Sequence, residues 1–374
     1  MTAPGPLSVV LAGGGTAGHV SPLLATAEAL LRLDPATRVT VLGTAEGLEA
    51  RLVPAAGLDL RVLPRVPLPR RPTVDLLRVP GRLAGAVAAA RRVLTEVSAD
   101  VVVGFGGYVA TPAYLAARQA RVPVVVHEQN ALPGLANRVG ARLTPWVATT
   151  FEGTPLRGAQ RVGLPLRAAV AGLDRDALRG EARAALGLRP DLVTLLVTGG
   201  SLGAQRLNDV LPAVRADLAA AGVQVLHVSG RGKTVTVPDL GAGPGAGTVV
   251  PYVVEPYLDR MDLAYAACDA VVCRAGAGTV CELSALGLPA AYVPLPVGNG
   301  EQRRNAEPLV AAGGGLLVAD ADLTPAWVRT TLLPLLADPD RLAAMAGAAR
   351  AHGVLDAADR LAGMVVRAAT GGTP

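Results

Sequence analysis

Apolar residues in this chain come in short unbroken runs rather than in alternation. The clearest runs are Leu7–Leu11, Val39–Leu42, Val101–Val103, Val122–Val126, Thr194–Thr198, Gln224–Val228, Ala270–Cys273 and Ala290–Val293. A strand that is apolar on both faces must be covered on both, which predicts parallel sheets between helical layers. Ala/Leu-rich stretches of helical spacing separate the runs, and Gly and Pro fall at the ends of runs, where turns belong. The order occurs twice. Ser8–Gly18 (SVVLAGGGTAG) opens the first half and Thr194–Ala204 (TLLVTGGSLGA) the second, each a buried strand, a glycine turn and a helix start. The predicted class is α/β, with two doubly wound, Rossmann-like domains facing a central cleft and ligands beyond the carboxyl ends of the strands. The expected divisions are 1–165, 166–350 and a C-terminal helix and tail at 351–374. The link falls near Gly163–Pro190, where the strand pattern lapses.

Composition narrows the classes. A chain of 374 residues, 51% hydrophobic, can fill two cores. The formal charge of +5 is carried by arginine, Lys233 being the only lysine. The basic residues do not cluster with aromatics, so nucleic acid is not an expected partner. Cys268, Cys273 and Cys281 lack paired-thiol spacing and a neighbouring histidine, which points to neither disulfide nor zinc and fits a reducing compartment. Met1–Pro6 has no basic start or apolar core, so no signal peptide is expected. Val101–Ala117 is uncharged but broken by glycines and Pro112, and reads as strand, loop and helix.

Gly13-Gly-Gly-Thr-Ala-Gly18 matches a dinucleotide spacing, but the second strand ends at Leu42-Gly43-Thr44 without the ribose-binding acid. Glu46 and Glu49 fall later, in the following helix. A P-loop at Ser229–Thr234 fails because its first glycine would fall at His227, leaving Lys233 as a solvated loop residue. Both glycine turns can expose N–H groups at a helix start, where an anion is favoured. Ser201 would add a hydroxyl to the second. After the run Ala270–Cys273, Thr279 and Glu282 share a helix face; this spacing fits either a phosphate and ribose contact or a Thr-x-x-Glu capping box. Glu301, Gln302 and Asn305 open another helix with groups suited to sugar hydroxyls. His127-Glu-Gln-Asn130 places four polar side chains at a strand's carboxyl end, costly to desolvate unless used. Gly104–Tyr108 puts an aromatic on a glycine loop.

Together, Gly13–Pro22 (GGGTAGHVSP), Gly104–Tyr108 (GFGGY), His127–Arg138 (HEQNALPGLANR), Gly199–Asn208 (GGSLGAQRLN), Arg274–Pro289 and Glu301–Asn305 closely resemble the UDP-N-acetylglucosamine:lipid I N-acetylglucosaminyltransferase (MurG) family. The segments span the chain from end to end. The resemblance implies a GT-B fold, with the lipid acceptor on the N-terminal half and the UDP-sugar on the C-terminal half. Glu282 would then hold the ribose; Ser201, Thr279 and Arg167 the diphosphate; Leu258 the uracil; and Gln302 the GlcNAc hydroxyls. Thr16, Gly18 and Asn130 would contact the donor from the first half. His19, Tyr108, Glu128 and Asn137 would lie on the acceptor side. Two positions depart from the pattern. A further glycine is common in the first loop, where this chain has Ala17. Glu301 stands where an amide is common, so the sugar contact is assigned to Gln302.

The implied chemistry is an inverting transfer of GlcNAc to the 4-hydroxyl of the muramyl sugar of lipid I, forming a β-1,4 bond and lipid II. His19, at a helix start that disfavours imidazolium, is the expected base, with Glu128 next. No cofactor or metal is expected: the Asp-x-Asp triplets at Asp174, Asp320 and Asp338 lack a strand-end setting, and Asp320-Ala-Asp-Leu-Thr-Pro325 reads as a helix cap. Arg61–Arg92 mixes arginines with Val66, Leu68, Leu76, Leu77, Val79 and Leu83. A solvated loop with an amphipathic helix accounts for it, and the resemblance turns it toward an anionic inner-leaflet surface. The expected location is peripheral, at the cytoplasmic face of the cell membrane, with cell-wall synthesis machinery as a further partner. Rival readings are a transferase for another acceptor, a UDP-GlcNAc epimerase and a non-catalytic nucleotide-binding module.

Overall fold

The structure, a computed structural model, describes residues 5–66, 78–240 and 249–374. Two compact units emerge, Met1–Arg167 with Leu355–Pro374 and Ala168–Val354.

Among the described residues, the first unit holds a sheet of seven parallel strands: β1 (Ser8–Gly13), β2 (Arg38–Gly43), β3 (Asp59–Val62), β4 (Val101–Gly106), β5 (Val124–Glu128), β6 (Trp146–Thr149) and β7 (Ala159–Arg161). Their order is β3-β2-β1-β4-β5-β6-β7. The second unit holds six: β8 (Val193–Thr198), β9 (Val223–Val228), β10 (Tyr252–Glu255), β11 (Ala270–Cys273), β12 (Ala290–Tyr292) and β13 (Gly315–Leu317), in the order β10-β9-β8-β11-β12-β13. The repeat seen in the sequence is thus a repeat of topology. In both sheets the chain winds outward one way from the first strand and then the other way. The switch points lie between β1 and β4 and between β8 and β11. The two glycine turns follow β1 and β8, so each sits at the crevice where an open α/β sheet binds ligands.

The unbroken apolar runs follow from this layering. Val9 and Leu11 of β1 enter a core with Leu23, Leu30, Val41 and Val103. Val10 and Ala12 point to the opposite face, into a core with Leu42, Val102, Ala113 and Tyr114. Both faces exclude water, and each fully buried Val or Leu contributes ~1.5–3 kcal/mol. Segment 351–374, set apart by the sequence reading, does not stand alone. Helix Ala357–Ala369 packs on helix Ala17–Leu33 and buries Leu361, Met364 and Val365 in the first unit's core. Its apolar spacing signals a packing face but not which domain receives it.

In the second unit, helix Arg175–Ala185 begins where the sequence read a link. Asp174 caps it, accepting from the N–H of Ala177 at 3.0 Å. Arg183 is buried, donates to the carbonyls of Ala267 and Pro190, and pairs with Asp269 at 2.9 Å. Asp338 likewise caps helix Pro339–His352. Within the segment Asp320–Pro325, read as a helix cap, the cap is Thr324, which accepts from the N–H of Trp327, with Pro325 at the first helical position. Asp320 pairs with Arg274 at 2.6 Å. Among the described residues, no helix is long and apolar enough to cross a membrane.

Candidate functional site

In the first unit, the ends of β1, β4 and β5 bring one group of polar side chains together. Gly15 (φ +87°) turns the chain after β1, and helix Ala17–Leu33 starts behind Thr16. Thr16 and Gly18 are exposed and His19 is half-buried. Nδ1 of His19 lies 3.1 Å from the Gly14 carbonyl oxygen and 3.2 Å from the Thr16 hydroxyl. A carbonyl can only accept, so Nδ1 carries the proton and Nε2 presents its lone pair. Gly106 (φ +93°) makes room there: a Cβ on it would stand 3.1 Å from Nε2. Burial lowers the His19 pKa, opposed by the bond to Gly14 and by the charge of Glu49. The ring is therefore neutral at pH 7.

Behind this corner lies a chain of buried contacts. Gly104 and Gly140 leave space that the Tyr114 ring fills; a Cβ on either would come within 2.1 or 2.6 Å of it. The Tyr114 hydroxyl donates to Asn137 Oδ1 at 2.7 Å. Asn137 Nδ2 donates to the His127 carbonyl at 3.0 Å and to Glu128 Oε2 at 2.9 Å. Asn137, expected on the acceptor side, is thus buried with its amide engaged at both ends, and it braces Glu128. Glu128 is itself buried and accepts from the N–H groups of Asn130 (2.9 Å) and Gly134 (3.0 Å). Burial raises its pKa, against the lowering effect of those bonds. Both oxygens of Glu128 are thus committed to Asn137 and the Asn130–Gly134 loop. Three of the four polar residues at the end of β5 are buried and used internally. His127 bonds the Gly163 carbonyl at 2.9 Å and Gln129 at 3.1 Å, and burial brings its pKa down to about 4. Asn130 is half-buried at the loop's start. Tyr108 is exposed, with the Arg65 guanidinium 5.2 Å from its ring centre.

In the second unit, the turn after β8 runs Gly199–Ala204 before helix Gln205–Ala213. Ser201 is exposed at its tip, so the hydroxyl belongs to the loop rather than to the helix start. Gly203 (φ +71°) packs directly on the backbone after β9, where a Cβ would meet the Ser229 carbonyl oxygen at 2.0 Å. Asn208 and His227 hold that carbonyl from below: Asn208 Nδ2 donates to Ser229 O at 3.0 Å, and His227 Nε2 lies 2.9 Å from Asn208 Oδ1. Leu258 is half-buried after β10, beside Tyr257, whose ring carries the Arg231 guanidinium 3.8 Å from its centre.

Helix Ala277–Leu286 follows β11 with extended Gly276 as its N-cap. The capping box is therefore not formed: Thr279 lies inside the first turn rather than at the cap. Thr279 and Glu282 are both half-exposed on this helix, and Glu282 Oε2 accepts from the Tyr265 hydroxyl at 2.7 Å. Gln302, in helix Glu301–Ala311, accepts from the Leu295 N–H at 2.9 Å through Oε1. What it offers a ligand is the pair of N–H donors. Arg274 donates to the carbonyls of Val293 and Pro294 and so fixes the loop that Gln302 touches. Arg167 is exposed at the end of the first unit. Lys233 is exposed. The sequence assigns no role to Glu49, Tyr265, Arg274 or Asn208. Each acts through a partner distant in sequence, which no local spacing reveals.

Comparison with known proteins adds a second line of argument. Residues 9–149 match the glycosyltransferase family 28 N-terminal domain and residues 194–361 its C-terminal domain. The chain is 58% identical to a Streptomyces avermitilis protein named UDP-N-acetylglucosamine–N-acetylmuramyl-(pentapeptide) pyrophosphoryl-undecaprenol N-acetylglucosamine transferase, covering 97% of this chain and 98% of that one. A protein of the same name from Nocardioides sp. is 59% identical, covering 98% and 99%. The crystal structure of Acinetobacter baumannii MurG superposes with a TM-score of 0.75 at 28% identity, covering 97% of this chain and 100% of that one. A UDP-GlcNAc 2-epimerase from Neisseria meningitidis reaches a TM-score of 0.66 at 13% identity, a likeness of fold alone.

Proposed function

Because the chain belongs to glycosyltransferase family 28 and, within it, to the MurG family, we propose that it transfers N-acetylglucosamine from UDP-N-acetylglucosamine to the muramyl 4-hydroxyl of lipid I, giving lipid II. One observation carries the reading beyond family membership. Each sheet has a glycine turn at its switch point, but the two turns are equipped differently. The first carries a neutral histidine whose Nδ1 is bonded to the Gly14 carbonyl, leaving Nε2 as the acceptor. The second carries Ser201, and β11, the neighbouring strand in the sheet, leads into the helix that bears Thr279 and Glu282. The first suits proton removal from a hydroxyl, and the second suits a nucleoside diphosphate.

In the proposed step, the acceptor oxygen forms a bond to the anomeric carbon as the bond from that carbon to the β-phosphate oxygen breaks. The electron pair leaves with UDP, and His19 Nε2 takes the hydroxyl proton. Attack opposite the leaving group inverts the α-linked donor to a β-1,4 product. Glu282 accepts from the ribose hydroxyls. Ser201, Thr279, Arg167 and the backbone N–H groups of the second turn bear the charge of the departing diphosphate. Leu258 flanks the uracil and Gln302 donates to the sugar. Thr16, Gly18 and Tyr108 are proposed substrate contacts of the first unit. Labelled UDP-GlcNAc, supplied with and without a lipid I analogue, is expected to give lipid-linked product only with the acceptor. Turnover of the donor without acceptor would instead favour an epimerase, and binding of UDP without turnover a non-catalytic module.

A peripheral membrane site is also proposed on the first unit, at the cytoplasmic face. An apolar groove of about 810 Å3 runs between helices Val79–Glu96 and Ala110–Ala120, lined by Leu83, Val87 and Leu115 with exposed Arg91 and Arg92 beside them. Leu68, Arg70, Arg71, Leu76 and Leu77, part of the same stretch in the sequence reading, lie outside the described residues. Each arginine near an anionic surface contributes ~1 kcal/mol. Replacing Arg91 and Arg92 together with serine is expected to weaken binding to phosphatidylglycerol-containing vesicles about 10- to 30-fold, measured by co-sedimentation. Unchanged binding would remove this face from the contact.

A further inference from the structure

A buried carboxylate stands behind the first glycine turn, and the reaction as described makes no use of it. Glu49, the first residue of helix Glu49–Ala55, has no exposed surface. Its Oε2 accepts from the N–H of Gly15 at 2.8 Å, and its Oε1 accepts from the N–H and hydroxyl of Thr44 at 2.9 and 2.7 Å. Two turns are built around it: a Cβ on Gly14, Gly43 or Gly47 would come within 2.3, 2.5 or 2.1 Å of this side chain. Burial alone would raise its pKa, but the bonds from Gly15 and Thr44 outweigh that and leave it below the ordinary value. The group is ionised. Packing alone does not call for a buried charge, since an apolar side chain of the same volume would avoid its desolvation cost.

The bond geometry gives the charge a purpose. The N–H of Gly15 and the carbonyl of Gly14 belong to one planar peptide unit. Glu49 holds the N–H end, and His19 Nδ1 donates to the carbonyl end. The carboxylate, the peptide and the imidazole therefore form one hydrogen-bonded series, each bond polarising the next. Gly107, where a Cβ would stand 2.7 Å from that same carbonyl oxygen, closes the other side. The second turn is built otherwise: neutral Asn208 and His227 support it from below. A negative charge behind the first turn opposes an anion there and favours the positive charge that His19 gains on taking a proton.

We propose that Glu49 is a positioning residue for the transfer, holding the Gly14–Gly15 peptide so that Nδ1 of His19 stays bonded and Nε2 stays aimed at the acceptor hydroxyl. The proposal rests on the reading of His19 as the base. Thermodynamic coupling between the two residues tests it. Glu49→Gln, His19→Ala and the double variant are assayed as purified full-length enzymes with UDP-GlcNAc and a lipid I analogue. Glu49→Gln is expected to lower kcat about 10- to 100-fold with the KM for UDP-GlcNAc unchanged, and to have no further effect in the His19→Ala background. Thr44→Val keeps the carboxylate and removes one of its donors. It is expected to lower kcat less, with the same dependence on His19, and covers the case in which Glu49→Gln does not fold. An equal loss in both backgrounds, a rise in donor KM in step with the fall in kcat, or a wild-type kcat would overturn the proposal while leaving His19 as the base. A wild-type kcat in His19→Ala alone would overturn the base assignment, and this proposal with it.

Discussion

Replacing His19 with alanine is expected to lower kcat by about 10²–10⁴-fold while changing the KM for UDP-GlcNAc little. The split follows from where the residue sits. His19 stands in the first unit, whereas Ser201, Thr279 and Glu282, the proposed donor contacts, stand in the second. Its Nδ1 proton is committed to the Gly14 carbonyl, so Nε2 is the only ring nitrogen able to accept. Burial keeps its pKa below the ordinary histidine value despite Gly14 and Glu49. At pH 7 the ring is neutral, the form that a base requires. The sign of the pH dependence follows: the wild-type rate holds through neutrality and falls as the pH drops through the depressed pKa, because protonation removes the lone pair on Nε2. The alanine variant should lack that acid limb. Steady-state rates from pH 5 to 9 on both proteins check it. A normal kcat in the variant would sink the base assignment and leave the transfer itself standing.

What the sequence disclosed depended on how local each signal was. All eight apolar runs became inner or near-inner strands, because a strand covered on both faces needs apolar residues at every position. The outer strands lacked that signature. β3 (Asp59–Val62) and β7 (Ala159–Arg161) lie at the edges of the first sheet and carry exposed polar residues, and β13 has three residues. β6 (Trp146–Thr149) is buried but short, and follows a Thr-Pro pair that reads as a turn. The glycine turns were legible for a similar reason: strand, glycines and helix start are contiguous. Glu49 was not. Read locally, it is an acid in the first turn of a helix, an ordinary solvated position. Its partner Gly15 lies 34 residues away, and the pocket that buries it is made by three glycines from two turns. The partners of Asn137 are hidden for the same reason. Its motif marks it as part of the site, but only the fold reveals that Tyr114 and Glu128 already occupy its amide.

Glu282→Ala should move the opposite parameter. Glu282 is half-exposed on the helix after β11, and the Tyr265 hydroxyl fixes one of its oxygens at 2.7 Å. A carboxylate so oriented can accept from both vicinal hydroxyls of a ribose, and hydrogen bonds to a charged group are worth ~1.5–3 kcal/mol. The ribose takes no part in bond making or breaking, so it is held equally in the ground and transition states. Loss of such uniform binding raises KM and spares kcat. The expected result is a rise of about 10- to 100-fold in the KM for UDP-GlcNAc with kcat nearly unchanged. Because UDP carries the same ribose, its dissociation constant should rise by the same factor in calorimetric titration. Tyr265→Phe leaves the carboxylate in place and removes only its orienting donor, so it should produce a smaller rise in the same two quantities. A variant that binds UDP as tightly as wild type but turns over slowly would place Glu282 at the reacting sugar instead, and the ribose assignment would fall.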